Sequence, residues 1–234
     1  MSLYDDASLI QVPSLYKDGL LVSTVPEDRS GDFVFSRGSN LAATRVNSSG
    51  LIEKGYENLL LQSNSFDTTW LQNRIDLTSG QSGYDGGSDA WKLESNNSST
   101  TYLDQSVVAS GVQTISLYAK AGTANYLTFY NSSAASVWFN LSNGSLGNTN
   151  TNIDTKIKAV GSDGWYRCSM TFNVATSYIR VYVTDVNGSF PSAIGANILI
   201  QDAQLESGLV ATDVIETTTT TGTAGILEDQ PRLD

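Results

Sequence analysis

The chain has 234 residues; 40% are hydrophobic, only 16% are charged, and the formal net charge is −11. There is no histidine and only one cysteine. These counts exclude Ser–His–Asp and Cys–His catalysis, His-ligated zinc and an intrachain disulfide.

An acidic surface repels phosphate backbones, and no run of Lys or Arg in the sequence offsets it, which argues against nucleic-acid binding. No apolar run reaches the roughly 18 residues of a membrane-spanning helix. The opening "MSLYDDASLI" lacks the basic and apolar regions of a secretory signal. Membrane insertion is therefore not expected. What stays chemically open is carboxylate chemistry and oxygen-ligated metals such as calcium. Ser, Thr, Asn and Gly fill the space left by charge, a mixture that favours short strands and polar turns over helices.

Residues 1–56 come first. "SLIQVPSLYKDGLLVSTVP" and "GDFVFSRGSNLAATRVNSSGLIE" are β-prone pieces broken by Pro13, Pro26, Gly19, Gly31, Gly38 and Gly50. Their apolar runs are too scattered for an independent core. The expectation is an extended, β-rich segment that depends on a partner surface or on a copy of itself.

Residues 57–216 carry regular strand patterns. In "TISLYAKA", Ile115, Leu117 and Ala119 alternate with Ser116, Tyr118 and Lys120. In "GWYRCSMTFNV", Tyr166, Cys168, Met170 and Phe172 alternate with Trp165, Arg167, Ser169 and Thr171. In "SYIRVYVTDV", Ile179, Val181 and Val183 alternate with Tyr178, Arg180 and Tyr182. Period-two alternation buries one face and leaves the other polar. The turn signals "NSS", "SNGS", "SDG" and "VNGS" separate these strands, and no window shows a capped helical period. The predicted fold is all-β: an antiparallel, jelly-roll-like β-sandwich over 57–216.

Residues 217–234 follow. Thr217 to Thr221 predict a polar linker, and "GILEDQPRLD" starts a further element. "AGILED" (224–229) echoes "SGLIEK" (49–54), which suggests a second unit like the first. In "DAQLESGLVATDVIE", Ala203, Leu205 and Ile215 are expected to turn inward and close the sandwich.

Several side chains are candidates for function. Cys168 lies on an apolar face with no histidine to activate it, so it reads as inert core. Trp165, Arg167, Tyr118, Tyr178, Arg180 and Tyr182 are expected to line one outer face, joined by Lys120, Tyr126, Tyr130 and Trp138. Aromatic rings stack on sugar C–H faces and nearby polar groups bond hydroxyls, so this set is a glycan-binding candidate. The same rings also suit packing against a partner subunit or the second sheet. Trp70 and Trp91 sit near turns, as loop anchors or as sugar platforms. Asp85, Asp89 and Glu94 in "SGYDGGSDAWKLE" offer oxygens for a structural calcium, although the spacing fits no EF-hand and suits a solvated turn better. No other cofactor is expected. No predicted strand places two carboxylates on one face, which argues against a polysaccharide-degrading enzyme. Asn131, Asn140 and Asn187 stand in Asn-x-Ser sequences and read as turn asparagines.

One resemblance spans nearly the whole chain. "ASLIQVPSLYKDGLLVSTVPEDRSGDFVFSRGSNLAATRVNSSGLIE" resembles the N-terminal block of a family of tailed-bacteriophage virion proteins, the head-fibre, spike and tail-fibre proteins that carry carbohydrate-binding-like modules. "ENLLLQSNSFDTTW", "GWYRCSMTF" and "IQDAQLESGLVATDVIETTTT" resemble the opening, central and closing strands of the module. "GILEDQPRLD" resembles a stretch from which longer relatives continue, whereas this chain stops at Asp234. It is therefore either a short form or part of a longer fibre.

The resemblance implies a non-enzymatic virion structural protein, assembled in the host bacterial cytoplasm. Residues 1–56 would dock it on capsid or tail components. Family fibres are trimers, so a homotrimer is implied. The displayed sandwich would adhere weakly and multivalently to bacterial surface or mucin glycans. The alternative is a purely architectural capsid decoration protein that binds no glycan.

Overall fold

A computed structural model describes residues 57–221 in full. Outside them it describes the backbone of strands at 10–17, 20–25, 33–34, 45–46, 52–53 and 222–223. The chain divides into two compact units, Met1–Tyr56 with Thr223–Asp234, and Glu57–Gly222. Among the described residues there is no helix, and so none long and apolar enough to cross a membrane.

In the first unit, β1 (Ile10–Lys17), β2 (Leu20–Val25) and β3 (Phe33–Val34) form an antiparallel sheet in the order β1-β2-β3. β4 (Arg45–Val46) pairs antiparallel with β5 (Ile52–Glu53). The remainder of the expected attachment segment, and the tail half of the 49–54/224–229 echo, lie outside the described residues.

The second unit opens with β6 (Glu57–Asn58). There follow β7 (Leu71–Asn73), β8 (Ile75–Gln81), β9 (Ala90–Ser95), β10 (Tyr102–Ala109), β11 (Val112–Ala121) and β12 (Tyr126–Asn131). The rest are β13 (Ser136–Asn140), β14 (Ser145–Asn150), β15 (Asp154–Val160), β16 (Trp165–Asn173), β17 (Thr176–Thr184) and β18 (Asn197–Ser207); β19 (Gly222–Thr223) follows at the boundary between the units. Strands β7 to β18 make two six-stranded sheets, β14-β13-β12-β17-β10-β7 (the A sheet) and β15-β16-β11-β18-β9-β8 (the B sheet). Neighbours in both sheets run antiparallel. The unit is a jelly-roll-like β-sandwich, as the alternation predicts.

One core fills the space between the sheets. The A sheet contributes Leu103, Leu127, Phe129, Val137, Phe139, Ile179, Val181 and Val183. The B sheet contributes Leu93, Ile115, Leu117, Cys168, Met170, Phe172, Ile198, Ile200 and Leu205. All are fully buried. The predicted inward residues of β11, β16 and β17, Ala119 included, all lie in this core except Tyr166, which is half-buried against it. Burial pushes the Cys168 thiol well above its ordinary range, as expected for a thiol in apolar surroundings.

Two features escape a period-two reading. In β18, Ile198 and Ile200 point inward, and then so do Ala203 and Leu205, with the parity reversed. A bulge does this: the β11–β18 register slips between Ser116 and Tyr118, and Asp202 takes φ 54°. A bulge inserts one residue and redirects the side chains beyond it. The second feature is a strap over 208–217 that folds back across the outer face of the B sheet. Glu206 accepts from the backbone and the hydroxyl of Thr212, and the Ile215 N–H donates to Gln204 Oε1 at 2.7 Å. Thr114, Ser116, Gln204 and Glu206 are therefore buried although they face away from the core.

Closure rests on one asparagine. Asn58 Oδ1 accepts from Leu60 and Leu205 N–H groups, and its Nδ2 donates to the carbonyls of Ala203 and Ile215. A buried amide with every hydrogen bond made is the condition for tolerating such a group in a core. Thr217 belongs to this closure. Its Oγ1 donates to the Leu60 carbonyl at 2.7 Å and accepts from Ser63 N–H, and it is buried. The linker expected from Thr217 therefore does not begin there, because the first threonine serves as a buried latch.

Candidate functional site

The expected single face of aromatic and cationic residues is two faces. β16 and β17 are consecutive in sequence, but the turn between them crosses from the B sheet to the A sheet. Trp165, Arg167 and Tyr118 therefore project from the outer face of the B sheet. Tyr178, Arg180 and Tyr182 project from the outer face of the A sheet.

On the A face, the Arg180 guanidinium lies 4.3 Å from the Tyr102 ring centre and 4.2 Å from that of Tyr178. Its Nε donates to Asp104 Oδ2 at 3.0 Å. Burial works against this cation, but its contacts with Tyr182 and Asp104 prevail and push its pKa up. Cross-strand register sets the group: Asp104 faces Arg180, and Tyr102 faces Tyr182. Tyr182 is buried, tilted against Phe190 at 4.9 Å and Tyr102 at 5.0 Å, and its phenol is pushed up to about 12 by burial. Phe190 also meets Trp138 at 5.0 Å and Tyr130 at 5.6 Å. Trp138 is buried and donates to the Ser189 carbonyl. The rings of this face mostly pack on one another under a loop.

On the B face, Tyr118 stacks on Tyr84, with centres 3.6 Å apart and planes 10° from parallel. Trp165 lies beneath them, 2% exposed, with its ring centre 6.3 Å from that of Tyr84. The loop carrying Tyr84 is tied down by Gly83 N–H to Gly87 carbonyl and by Tyr84 N–H to Gln201 Oε1. A Cβ at Gly83 would stand 2.5 Å from that Gln201 oxygen, so a side chain there would displace the Gln201 amide from the Tyr84 N–H. The Tyr84 hydroxyl donates to Asp202 Oδ2 at 3.0 Å, and burial raises the phenol's pKa. The Asp202 carboxyl is raised to about 6, by burial first and then by Asp89, Glu216 and Asp85, with the Tyr84 bond opposing the rise.

Beyond Tyr118, a groove of about 500 Å3 runs between the strap and β15–β16. Its lining includes Tyr118, Lys156, Lys158, Arg167, Asp154 and Asp213. Register places Lys158 directly opposite Arg167, and Arg167 opposite Tyr118. The Arg167 guanidinium is 5.4 Å from the Tyr118 ring centre, and its Nη2 donates to the Thr212 carbonyl and to Ser116 Oγ. Lys156 pairs with Asp154 at 2.7 Å, which holds that carboxyl below its ordinary range. Among the described residues Lys158 makes no ion pair. A larger cavity of about 630 Å3 lies by the β10–β11 and β16–β17 turns, lined by Leu59, Val108, Ser132 and Thr176 among others, with neither ring nor charge in it.

Trp70 and Trp91 are not sugar platforms. Both are buried, both meet the Phe66 ring edge-on, and their indole N–H groups donate to the carbonyls of Gln62 and Asn64. They anchor the loop after β6.

The three carboxylates named for calcium do not converge. Asp85 Oδ1 accepts from Gly87 N–H, and Asp89 accepts from Gln201 and Asn64. Glu94 is elsewhere, bonded to Lys92 and Asn197. Among the described residues no group of three or more acidic, cysteine or histidine side chains is placed to hold a metal ion, so these residues do not fit a calcium site. The expectation that no strand holds two carboxylates on one face also fails, because β18 carries Asp202 and Glu206 on its outer side. The bulge obscured them. Glu206 is committed to the strap and Asp202 to Tyr84. Asn131, Asn140 and Asn187 each accept backbone N–H groups in turns.

Sequence reasoning missed Lys156, Lys158, Tyr84 and Tyr102. The signal for the lysines was present: "DTKIKAV" alternates, so both fall on one face.

The fold and surface define a class: a two-sheet antiparallel β-sandwich with a charged groove on one outer face. No family model matches the chain. No curated protein matches it. Among solved structures it is similar to the enzymatically active domain of tailspike protein 4 of bacteriophage CBA120, at 14% identity and TM-score 0.38, over 63% of this chain and 21% of that one. It is similar to TmCBM61, solved in complex with β-1,4-galactotriose, at 14% identity and TM-score 0.38, over 63% of this chain and 97% of that one. It is also similar to the K1 cleaved adhesin domain of Lys-gingipain from Porphyromonas gingivalis W83, at 16% identity and TM-score 0.38, over 65% and 97%. The match thus spans about a fifth of the tailspike chain.

Proposed function

We propose that this chain is a non-catalytic fibre or spike subunit of a bacteriophage virion whose sandwich binds glycans in the groove between the strap and β15–β16. The observation that carries the glycan reading is the groove itself. Its volume of about 500 Å3 falls within the usual size of small-ligand sites, about 300–1,000 Å3. It combines the Tyr118 ring, the Ser169 hydroxyl and cationic donors at Lys156, Lys158 and Arg167. That is the chemistry that holds a polyhydroxylated ring. Affinity per site would be low, and copies in an oligomer, a trimer by family resemblance, would raise it through multivalency.

A binding role is favoured over hydrolysis by how the reactive groups are used. The Cys168 thiol is sealed in the core. Asp202 and Glu206 are engaged in structural hydrogen bonds rather than facing each other across a cleft. The virion role rests on the motif resemblance of residues 7–53 and of the module strands.

A glycan array carrying bacterial surface polysaccharides and mucin glycans tests the reading. The full chain should bind a subset of the array, and Arg167→Ala should lose that binding. If no glycan binds at any density, the architectural role stands instead. Release of reducing ends from a bound polysaccharide would contradict the non-catalytic assignment.

A further inference from the structure

We infer that the groove selects acidic glycans: a sugar carboxylate is received between Lys158 and Arg167. The inference rests on the glycan reading above and names the class of ligand.

Charge placement is the first argument. Residues 57–221 contain seven Lys and Arg against fourteen Asp and Glu. Four of the seven, Lys120, Lys156, Lys158 and Arg167, project from the outer face of three adjacent strands, β11, β15 and β16. In a chain of net charge −11, this concentration is local and against the average. Three of the four line the groove, against the carboxylates of Asp154 and Asp213.

Pairing is the second argument. Lys158 and Arg167 stand directly opposite each other on antiparallel strands. Like charges in that position repel and destabilise the sheet. Acidic residues are abundant in this unit, yet neither cation has a carboxylate partner among the described residues. The Arg167 guanidinium uses only Nη2, on a carbonyl and a hydroxyl, and both acceptors are neutral. Its Nε is buried without an acceptor. Arginine presents five donors in a planar fork, so most of this fork is unspent. On the A face, by contrast, Arg180 is neutralised by Asp104.

The third argument is a carboxylate already present. Lys156 holds Asp154 at 2.7 Å on the same strand. The groove therefore accommodates one carboxylate–ammonium pair at Lys156. The neighbouring cation pair offers an equivalent place to a carboxylate from outside. The Ser169 hydroxyl lies in the next same-face row, opposite Lys156. A hexuronate or a sialic acid presents a ring carboxylate beside hydroxyls and meets both demands.

Calorimetric titration of the full chain with oligogalacturonate and with its carboxyl-reduced, neutral counterpart tests this. Binding should favour the acidic oligomer by roughly tenfold or more, the scale of one charge-assisted contact of about 1.4 kcal/mol. Affinity should fall as salt rises. Lys158→Ala should remove most of the preference without changing the fold, because Lys158 is exposed. Arg180→Ala should leave the preference unchanged. Equal binding of the acidic and neutral oligomers would overturn the inference while leaving the glycan reading intact. A preference that survives Lys158→Ala but disappears in Arg180→Ala would overturn the location. Failure of the chain to bind either oligomer, or any glycan on the array, would overturn both readings together.

Discussion

The two outer faces of the sandwich use the same residue types to opposite ends. On the A face, Arg180 is clasped by two rings and a carboxylate, and Tyr130, Tyr182 and Trp138 pack under Phe190. On the B face, Lys158 and Arg167 are set opposite each other without an acid, beside a groove. An arginine next to tyrosines is therefore no sign of a ligand site in itself. What separates the faces is whether the cation's donors are spent inside the protein.

The largest effect that would expose this difference is on the A face. Asp104→Ala leaves the Arg180 cation without its counter-charge. Urea unfolding should show a loss of about 2 kcal/mol, below the 3–5 kcal/mol of a fully buried pair because both side chains keep some contact with water. A change near zero would mean that Arg180 is as weakly held as Lys158. Next comes Phe190→Ala, which strips the lid from Tyr182 and Trp138. It should lower stability by about 1–2 kcal/mol and shift tryptophan emission to the red, with glycan binding unaffected.

A smaller effect depends on pH and belongs to the B face. The Asp202 carboxyl titrates at about 6 in the fold against 3.8 when free. The native chain thus holds this proton more tightly than the unfolded chain does. The resulting stabilisation is full below the free value and is lost as pH rises through about 6. Asp202→Asn mimics the protonated acid. It should match the parent chain near pH 3.5 and exceed it by about 1 kcal/mol near pH 8, in thermal melts at each pH. An equal difference at both pH values would remove Asp202 from the account. The smallest effect is at Lys158. Lys158→Ala should change stability by only a few tenths of a kcal/mol, in the stabilising direction, because it relieves the like-charge pair with Arg167. A clear destabilisation would show that Lys158 has a structural partner.

Much of the fold was legible because strand alternation follows directly from burying one face. Ile115, Leu117, Cys168, Met170, Phe172, Ile179, Val181 and Val183 all lie where the pattern puts them. The site was less legible, for three physical reasons. Alternation shows that Arg167 and Arg180 point away from the core but not that β16 and β17 belong to different sheets. It gives no hint that Tyr84 and Phe190, from distant loops, cover Trp165 and Tyr182. It also fails at the Asp202 bulge, where one added residue reverses inside and outside. The opposition of Lys158 and Arg167 arises from the β15–β16 register alone.

The central claim is that glycans enter the groove of the B face. Chemical-shift mapping of the isotope-labelled chain during titration with oligogalacturonate tests it most directly. The account predicts shifts confined to Tyr118, Lys156, Lys158, Arg167 and Ser169. Shifts centred on Tyr102, Tyr178 and Arg180, with the groove silent, would contradict it.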